Sequence, residues 1–167
     1  MGTPPVVAAV FLLGALPVCL WAAYVDLSRL KIPNKSVMTL FGVYVVAGLA
    51  LVVLDQWSLS DYAWRFSHLV AVLLLGMAMN AAYLIGAGDA KFAAAAAPFI
   101  ALSDWMTLLG LFPLMLLTCW LLHRLARVTA GPRLAEGWVS WSSGKRFPMG
   151  VALGATLLVY LGLCATA

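Results

Sequence analysis

Charge is what this chain has least of: sixteen Asp, Glu, Lys and Arg residues among 167, or 10%, where soluble domains carry roughly 25%. A soluble globule needs a charged surface to stay dispersed, and a chain that is 65% hydrophobic cannot build one, which excludes that class. Cysteine is nearly as scarce. Cys19, Cys119 and Cys164 sit in apolar stretches with no CxxC and no paired spacing, so a zinc site and a disulfide framework lack ligands, and all three read as small core residues. Two histidines, His68 and His123, fall at the edges of apolar runs, and His123 beside Arg124 reads as an interfacial basic residue. There is no HExxH and no GxSxG, which argues against zinc and serine hydrolases and leaves neither metal nor cofactor expected. No Lys or Arg precedes the first apolar run, so a secretory n-region is missing and this segment is expected to remain in the mature protein. The last four residues, from Cys164 to Ala167, close an apolar run and do not form a prenylation box.

What fills the chain is apolar sequence in pieces of membrane length. A hydrocarbon core of about 30 Å takes about 20 helical residues. Six runs qualify: Pro5–Val25, Val37–Leu54, His68–Ile85, Ala90–Leu102, Trp105–Leu122 and Pro148–Ala165. They are continuously apolar without alternation, so they predict helices and not barrel strands. The fold class is an all-α polytopic membrane helix bundle, one domain over residues 1–167 with about six transmembrane helices. The fourth run is short and alanine-rich (Ala93–Ala97, then Pro98), and a re-entrant segment is its alternative reading.

The net charge of +4 is explained by topology before nucleic acid, and no nucleic-acid partner is expected. Arg29, Lys31, Lys35, Lys91, Arg124, Arg127, Arg133, Lys145 and Arg146 fall in alternate loops on one side, against Arg65 alone on the other. Retention of such residues in the cytoplasm places both termini outside. The seven tryptophans, Trp21, Trp57, Trp64, Trp105, Trp120, Trp138 and Trp141, lie near span ends or in loops and read as interfacial anchors. The Arg124–Arg146 loop is the one segment long enough for a small cytoplasmic element.

Of six acids, Asp55, Asp61 and Asp104 fall in outer loops and Glu136 in the basic loop, where solvated charge is the plain reading. Asp26 and Asp89 differ, because one closes the first span and the other opens the fourth, on the same side and at the same depth. An anion at a helix C-terminus opposes the macrodipole, so Asp26 gains nothing from its own helix. Asp89 follows Gly86-Ala87-Gly88 at a helix start, where negative charge is favoured and glycines permit a tight turn and close approach. The plainer readings are a juxtamembrane charge in water for each acid and a helix cap for the glycines. Two facing carboxylates can share one proton and hydrolyse an amide, the anion deprotonating water while its partner polarises the carbonyl. Asn80, inside the third span, reads as an interhelical hydrogen-bond partner or polar lining, and Ala93–Ala97 as either a close-packing surface or filler.

The segment from Asp26 through Arg29 and Lys31 to Ile32-Pro33-Asn34 resembles the first aspartate motif of type IV prepilin peptidases. Gly86-Ala87-Gly88-Asp89-Ala90-Lys91, which begins 60 residues after Asp26, is similar to the GxGDxK element of the GxGD intramembrane aspartic proteases. Phe147-Pro148-Met149-Gly150 and the following Val151–Gly154 are similar to the start of that family's last helix. The resemblance implies catalytic roles for Asp26 and Asp89, with Gly86 and Gly88 shaping the second aspartate's turn and Lys91, Pro33 and Asn34 as supporting motif positions. Pro33 is expected to stop helix formation near Asp26, and Asn34 to cap the second span.

The same resemblance implies removal of a leader from a prepilin or pseudopilin precursor at the cytoplasmic face of the inner membrane. Longer relatives carry a paired-cysteine domain linked to N-terminal methylation; this chain has no CxxC, so a peptidase without a methyltransferase is expected, as in the short forms of tight-adherence (Flp-type) pilus systems and in archaeal preflagellin peptidases. Presenilin-like relatives pair GxGD with Tyr-Asp, whereas here Val25 separates Tyr24 from Asp26. Prepilin leaders are usually basic, so the nine cytoplasmic cations oppose charge steering and recognition is expected to rest on the apolar helix of the substrate. Two other classes stay open on sequence: a non-enzymatic carrier using Asp26 and Asp89 for ion binding, and an inactive secretion-system subunit.

Overall fold

The computed structural model describes residues 1–144 and 146–167; Lys145, one of the basic-loop cations, lies outside them. Among the described residues there is no strand. Nine α-helices follow one another among the described residues: α1 (Pro5–Arg29), α2 (Asn34–Val53), α3 (Leu59–Trp64), α4 (Phe66–Ala81), α5 (Ala87–Ala96), α6 (Trp105–Val128), α7 (Gly131–Leu134), α8 (Val139–Ser142) and α9 (Met149–Ala165). Among the described residues four stretches are long and apolar enough to cross a bilayer: Pro5–Arg29, Asn34–Val53, Leu59–Ala81 and Leu102–Val128, while the apolar α9 is shorter.

Boundaries move where capping decides them. Pro5 opens α1 with its φ already helical, and the helix ends at Leu30 in the left-handed region (φ 51), whose N–H bonds the Asp26 carbonyl. Asp26 therefore lies inside the last turn of α1 and does not follow its end. Pro33, not Asn34, is the N-cap of α2; Asn34 is its first residue, with Ser36 Oγ bonding the Pro33 carbonyl at 2.8 Å. The third apolar run stops being helical at Ala81, well before Ile85, and the fifth continues to Val128. That extension leaves Trp120 inside α6. Among its described residues the basic loop holds the one-turn helices α7 and α8.

α1 and α9 pack antiparallel through the middle of the bundle. A Cβ on Gly154 would stand 3.3 Å from Cys19 Cβ, so the two backbones come close there. Around one end of this pair sits an aromatic core of Phe11, Tyr44, Trp57, Tyr62 and Phe99, with Phe11 and Phe99 centroids 5.0 Å apart. Trp57 is buried in it, which corrects its reading as an interfacial anchor; Trp64 and Trp105 stay half exposed or more. Cys19 and Cys164 are core residues as expected, and Cys119 is half-buried. His123 is buried too, stacked on Trp141 at 5.1 Å and edged by Phe147, so it is not an interfacial cation.

The fourth apolar run becomes the ten-residue α5, a 3-10 turn at Ala97–Phe99 and an extended Ile100. It is short, about 15 Å of α-helix and 6 Å of 3-10 turn, yet it reaches from one end of the bundle to the other. Asp89 is at its start, and at its far end the Phe99 carbonyl accepts from Arg65 Nη1 (3.2 Å) and the Ala101 N–H donates to Tyr160 Oη (3.0 Å). Small residues let it sit deep: a Cβ on Gly76 of α4 would be 2.9 Å from Ala90 Cβ. Ala94, Ala95, Ala96 and Ala97 are buried as well, so the alanine run is a packing surface.

At that far end Asp104 is not solvated, as its loop position suggested, but 7% exposed. It accepts from the Gly2 N–H at 3.0 and 2.9 Å and from Tyr160 Oη at 2.8 Å. Arg65, 5% exposed, bonds Thr3 Oγ1 at 3.0 Å and lies 4.8 Å over the Trp57 ring. Asp55, Asp61 and Glu136 are exposed, as expected.

Candidate active site

Asp26 projects from the last turn of α1 onto the start of α9 and is only 4% exposed. The Gly150 N–H donates to its Oδ2 at 2.7 Å. Gly150 is in the first turn of α9, where N–H groups have no partner within the helix, so this carboxylate satisfies one of them from a neighbouring helix. The end of α1 disfavours an anion and the start of α9 favours one, and the second effect supplies what the first withholds. Space is as restrictive as charge: a Cβ on Gly150 would come within 2.9 Å of Oδ2 and 3.0 Å of Ile32 Cδ1. Asp26 Oδ1 has no hydrogen-bond partner among the described residues.

Asp89 is the third residue of α5, behind the N-cap Gly86, where the exposed N–H groups favour an anion. Gly86 has φ −71 and ψ 145, extended backbone that any residue adopts, so the glycine is not there for a tight turn. It is there for room: a Cβ at Gly86 would lie 2.6 Å from Asp89 Oδ2. Gly88 faces Ile32, and a Cβ there would make an ordinary contact at 3.4 Å. The left-handed residue that turns the chain between α4 and α5 is Tyr83 (φ 59). Asn80 braces the same turn, its Nδ2 donating to the Ile85 carbonyl at 2.8 Å, which replaces the expected interhelical bond with a local one.

Lys91 and Asn34 meet each other on the exposed surface, Nζ to Oδ1 at 3.4 Å, and with Pro33 they stand outside the cavity formed by the two aspartates. That cavity measures about 880 Å3 and is lined by Asp26 and Asp89 together with Ile32, Asn80, Gly86, Gly88 and Met149. Lys31 and Arg146 bring positive charge to it. Both acids therefore reach one polar chamber at one end of the bundle. Among the described residues no group of three or more His, Cys, Asp or Glu is placed to hold a metal ion.

Gly150 and Ile32 are the positions whose part the sequence left unassigned. Each stood inside a noted motif, but what makes them matter is the contact each makes with the other elements, and spacing does not show contacts between helices.

Residues 10–125, well over half of the chain, match the type IV leader peptidase family, and the protein belongs to that family of peptidases. With its apolar helices it is a multi-pass membrane protein. The matched region contains Asp26 and Asp89 and ends before Gly150. Searches of curated proteins and of solved structures returned no match.

Proposed function

We propose that the protein is an intramembrane aspartic endopeptidase that removes the leader of prepilin or pseudopilin precursors, with Asp26 and Asp89 as its catalytic residues. The observation that carries this reading is that both carboxylates line the same polar cavity while sitting on different helices. In that chamber one carboxylate is ionised and takes a proton from water as the water oxygen bonds to the scissile carbonyl carbon. The other is protonated and gives its proton to the carbonyl oxygen, leaving a neutral gem-diol. The first carboxyl, now protonated, gives its proton to the nitrogen while the second, now ionised, takes a proton from a gem-diol hydroxyl; the C–N bond breaks as the C=O re-forms, and both carboxyl groups return to their starting states. Like charges sharing one chamber disfavour double ionisation, which favours the one-proton state that the cycle needs.

The end of the bundle with Asp26 and Asp89 also carries Lys31, Lys91 and Arg146, in keeping with a cytoplasmic face, a six-span arrangement with both termini outside, and the inner membrane as location. The cations beside the cavity disfavour a basic leader, so the apolar helix of the precursor supplies the affinity.

The test is co-expression of the wild type, Asp26→Asn and Asp89→Asn with a prepilin-like precursor, reading leader loss as a size shift and the cut site by N-terminal sequencing. Cleavage by the wild type alone supports the proposal. Cleavage by either variant at the wild-type rate removes that aspartate from the mechanism.

A further inference from the structure

A second cavity, about 380 Å3, opens on the flank of the bundle between α4 and α6. Its walls, Leu75 of α4 and Leu109 of α6, are more than half exposed, whereas its floor, including Ala96 of α5 and Leu157 of α9, is buried. The lining is apolar: the one side-chain hydroxyl in it, on Thr156, is turned onto the Ala152 carbonyl of its own helix at 2.7 Å.

The groove continues the catalytic cavity. Asp89 lines the cavity and Ala93 lines the groove, and on α9 Met149 and Leu153 divide in the same way. Residues four apart share a helix face one turn of about 5.4 Å apart, so two helices carry the chamber's wall directly into the groove. From the groove, the next turn of α5 toward its N-terminus reaches the aspartate.

Resting on the peptidase reading above, we propose that this groove receives the apolar helix of the substrate, lying along α5 with its end at the level of Asp89. Within a bilayer, covering apolar surface gives no hydrophobic gain over lipid, and helices associate where small residues allow close van der Waals contact. The alanine floor at Ala93, Ala96 and Ala97 provides that contact. A helix seated there ends next to the chamber, which presents the peptide bond just beyond it to the two carboxylates. The apolar segment thereby sets where the leader is cut, and the cations beside the cavity need attract nothing.

The test places a photo-crosslinking benzoylphenylalanine at Leu75, Leu109 or, as a lipid-exposed control on α2, Val46, in the full-length protein reconstituted in phosphatidylcholine–phosphatidylglycerol vesicles. The probe is a precursor with a basic leader and one apolar helix of about 20 residues. Adducts to the precursor's apolar segment from positions 75 and 109 and none from 46 are expected. Leu75→Trp and Leu109→Trp, which crowd the groove from its exposed walls, raise KM for the precursor about tenfold, the effect of ~1.4 kcal/mol of lost contact, while Val46→Trp leaves it unchanged. Wild-type cleavage with adducts to lipid alone, or equal adducts from all three positions, overturns the groove and leaves the peptidase intact. Absence of cleavage by the wild type overturns the peptidase reading and the groove with it.

Discussion

Asp26 and Asp104 are both buried and both bonded to α9, one near its first turn and the other toward its last, yet their surroundings differ in kind. Asp104 receives the Gly2 N–H on both oxygens and the Tyr160 hydroxyl, so its acceptors are taken up within the protein. Asp26 receives the Gly150 N–H on one oxygen and lines an open chamber shared with Asp89. Burial is common to both, and what separates a clamp from a reactive group is whether a lone pair is left for something else. Charge that is saturated holds elements together, and charge that is half satisfied in a polar cavity is available for proton transfer.

The largest expected effect tests the reactive side. Asp26→Asn and Asp89→Asn keep the shape and remove the carboxyl group that the proposed mechanism uses, so each is expected to lower cleavage by ~100- to 10,000-fold with insertion and unfolding temperature near wild type. An unfolding temperature that falls with activity would make Asp26 a second clamp and dissolve the contrast. The glycines that leave room for these carboxylates come next. Gly150→Ala and Gly86→Ala push on Oδ2 of Asp26 and Asp89, and a displacement near 1 Å is expected to cost about 100-fold in cleavage rate. Gly88→Ala, whose Cβ makes an ordinary contact with Ile32, is expected to retain most activity in the same assay.

The clamp side is expected to respond in stability. Asp104→Ala leaves the Gly2 N–H and the Tyr160 hydroxyl without their acceptor, a loss of about 1–3 kcal/mol measured by unfolding in detergent, and Tyr160→Phe about 1 kcal/mol. The cleavage rate of the molecules that remain folded is expected to match wild type, because the cluster lies at the far end of α9 from the chamber.

Helix type and the approximate position of each apolar run were legible because continuous hydrophobicity leaves no other way to satisfy a backbone in lipid. The ends of those runs were not, since caps such as Leu30 and Pro33 act through local geometry that hydropathy does not register. Asp26 and Asp89 stood out by their shared depth and by motif resemblance, and the structure brings them to one cavity. The burial of Asp104, Arg65, His123 and Trp57 was hidden because each lies in or beside a polar loop in sequence and is covered only when distant segments arrive. Gly150 is the plainest example. Its part comes from a carboxylate 124 residues away, and no local pattern carries that distance.

The smallest expected effect isolates position from burial. Asp61 lies on the same side of the chain as Asp104 but is exposed, in the first turn of α3, where its backbone N–H bonds the Ser58 cap at 3.0 Å. Its carboxylate gains only the favourable end of a six-residue helix, screened by water and ions. Asp61→Asn keeps the Ser58 bond and is expected to change stability by less than about 0.5 kcal/mol, with unaltered cleavage. A loss as large as that of Asp104→Ala would mean that Asp61 supports the neighbouring Arg65 through its field, and the clamp would then extend from the buried cluster to the surface of α3.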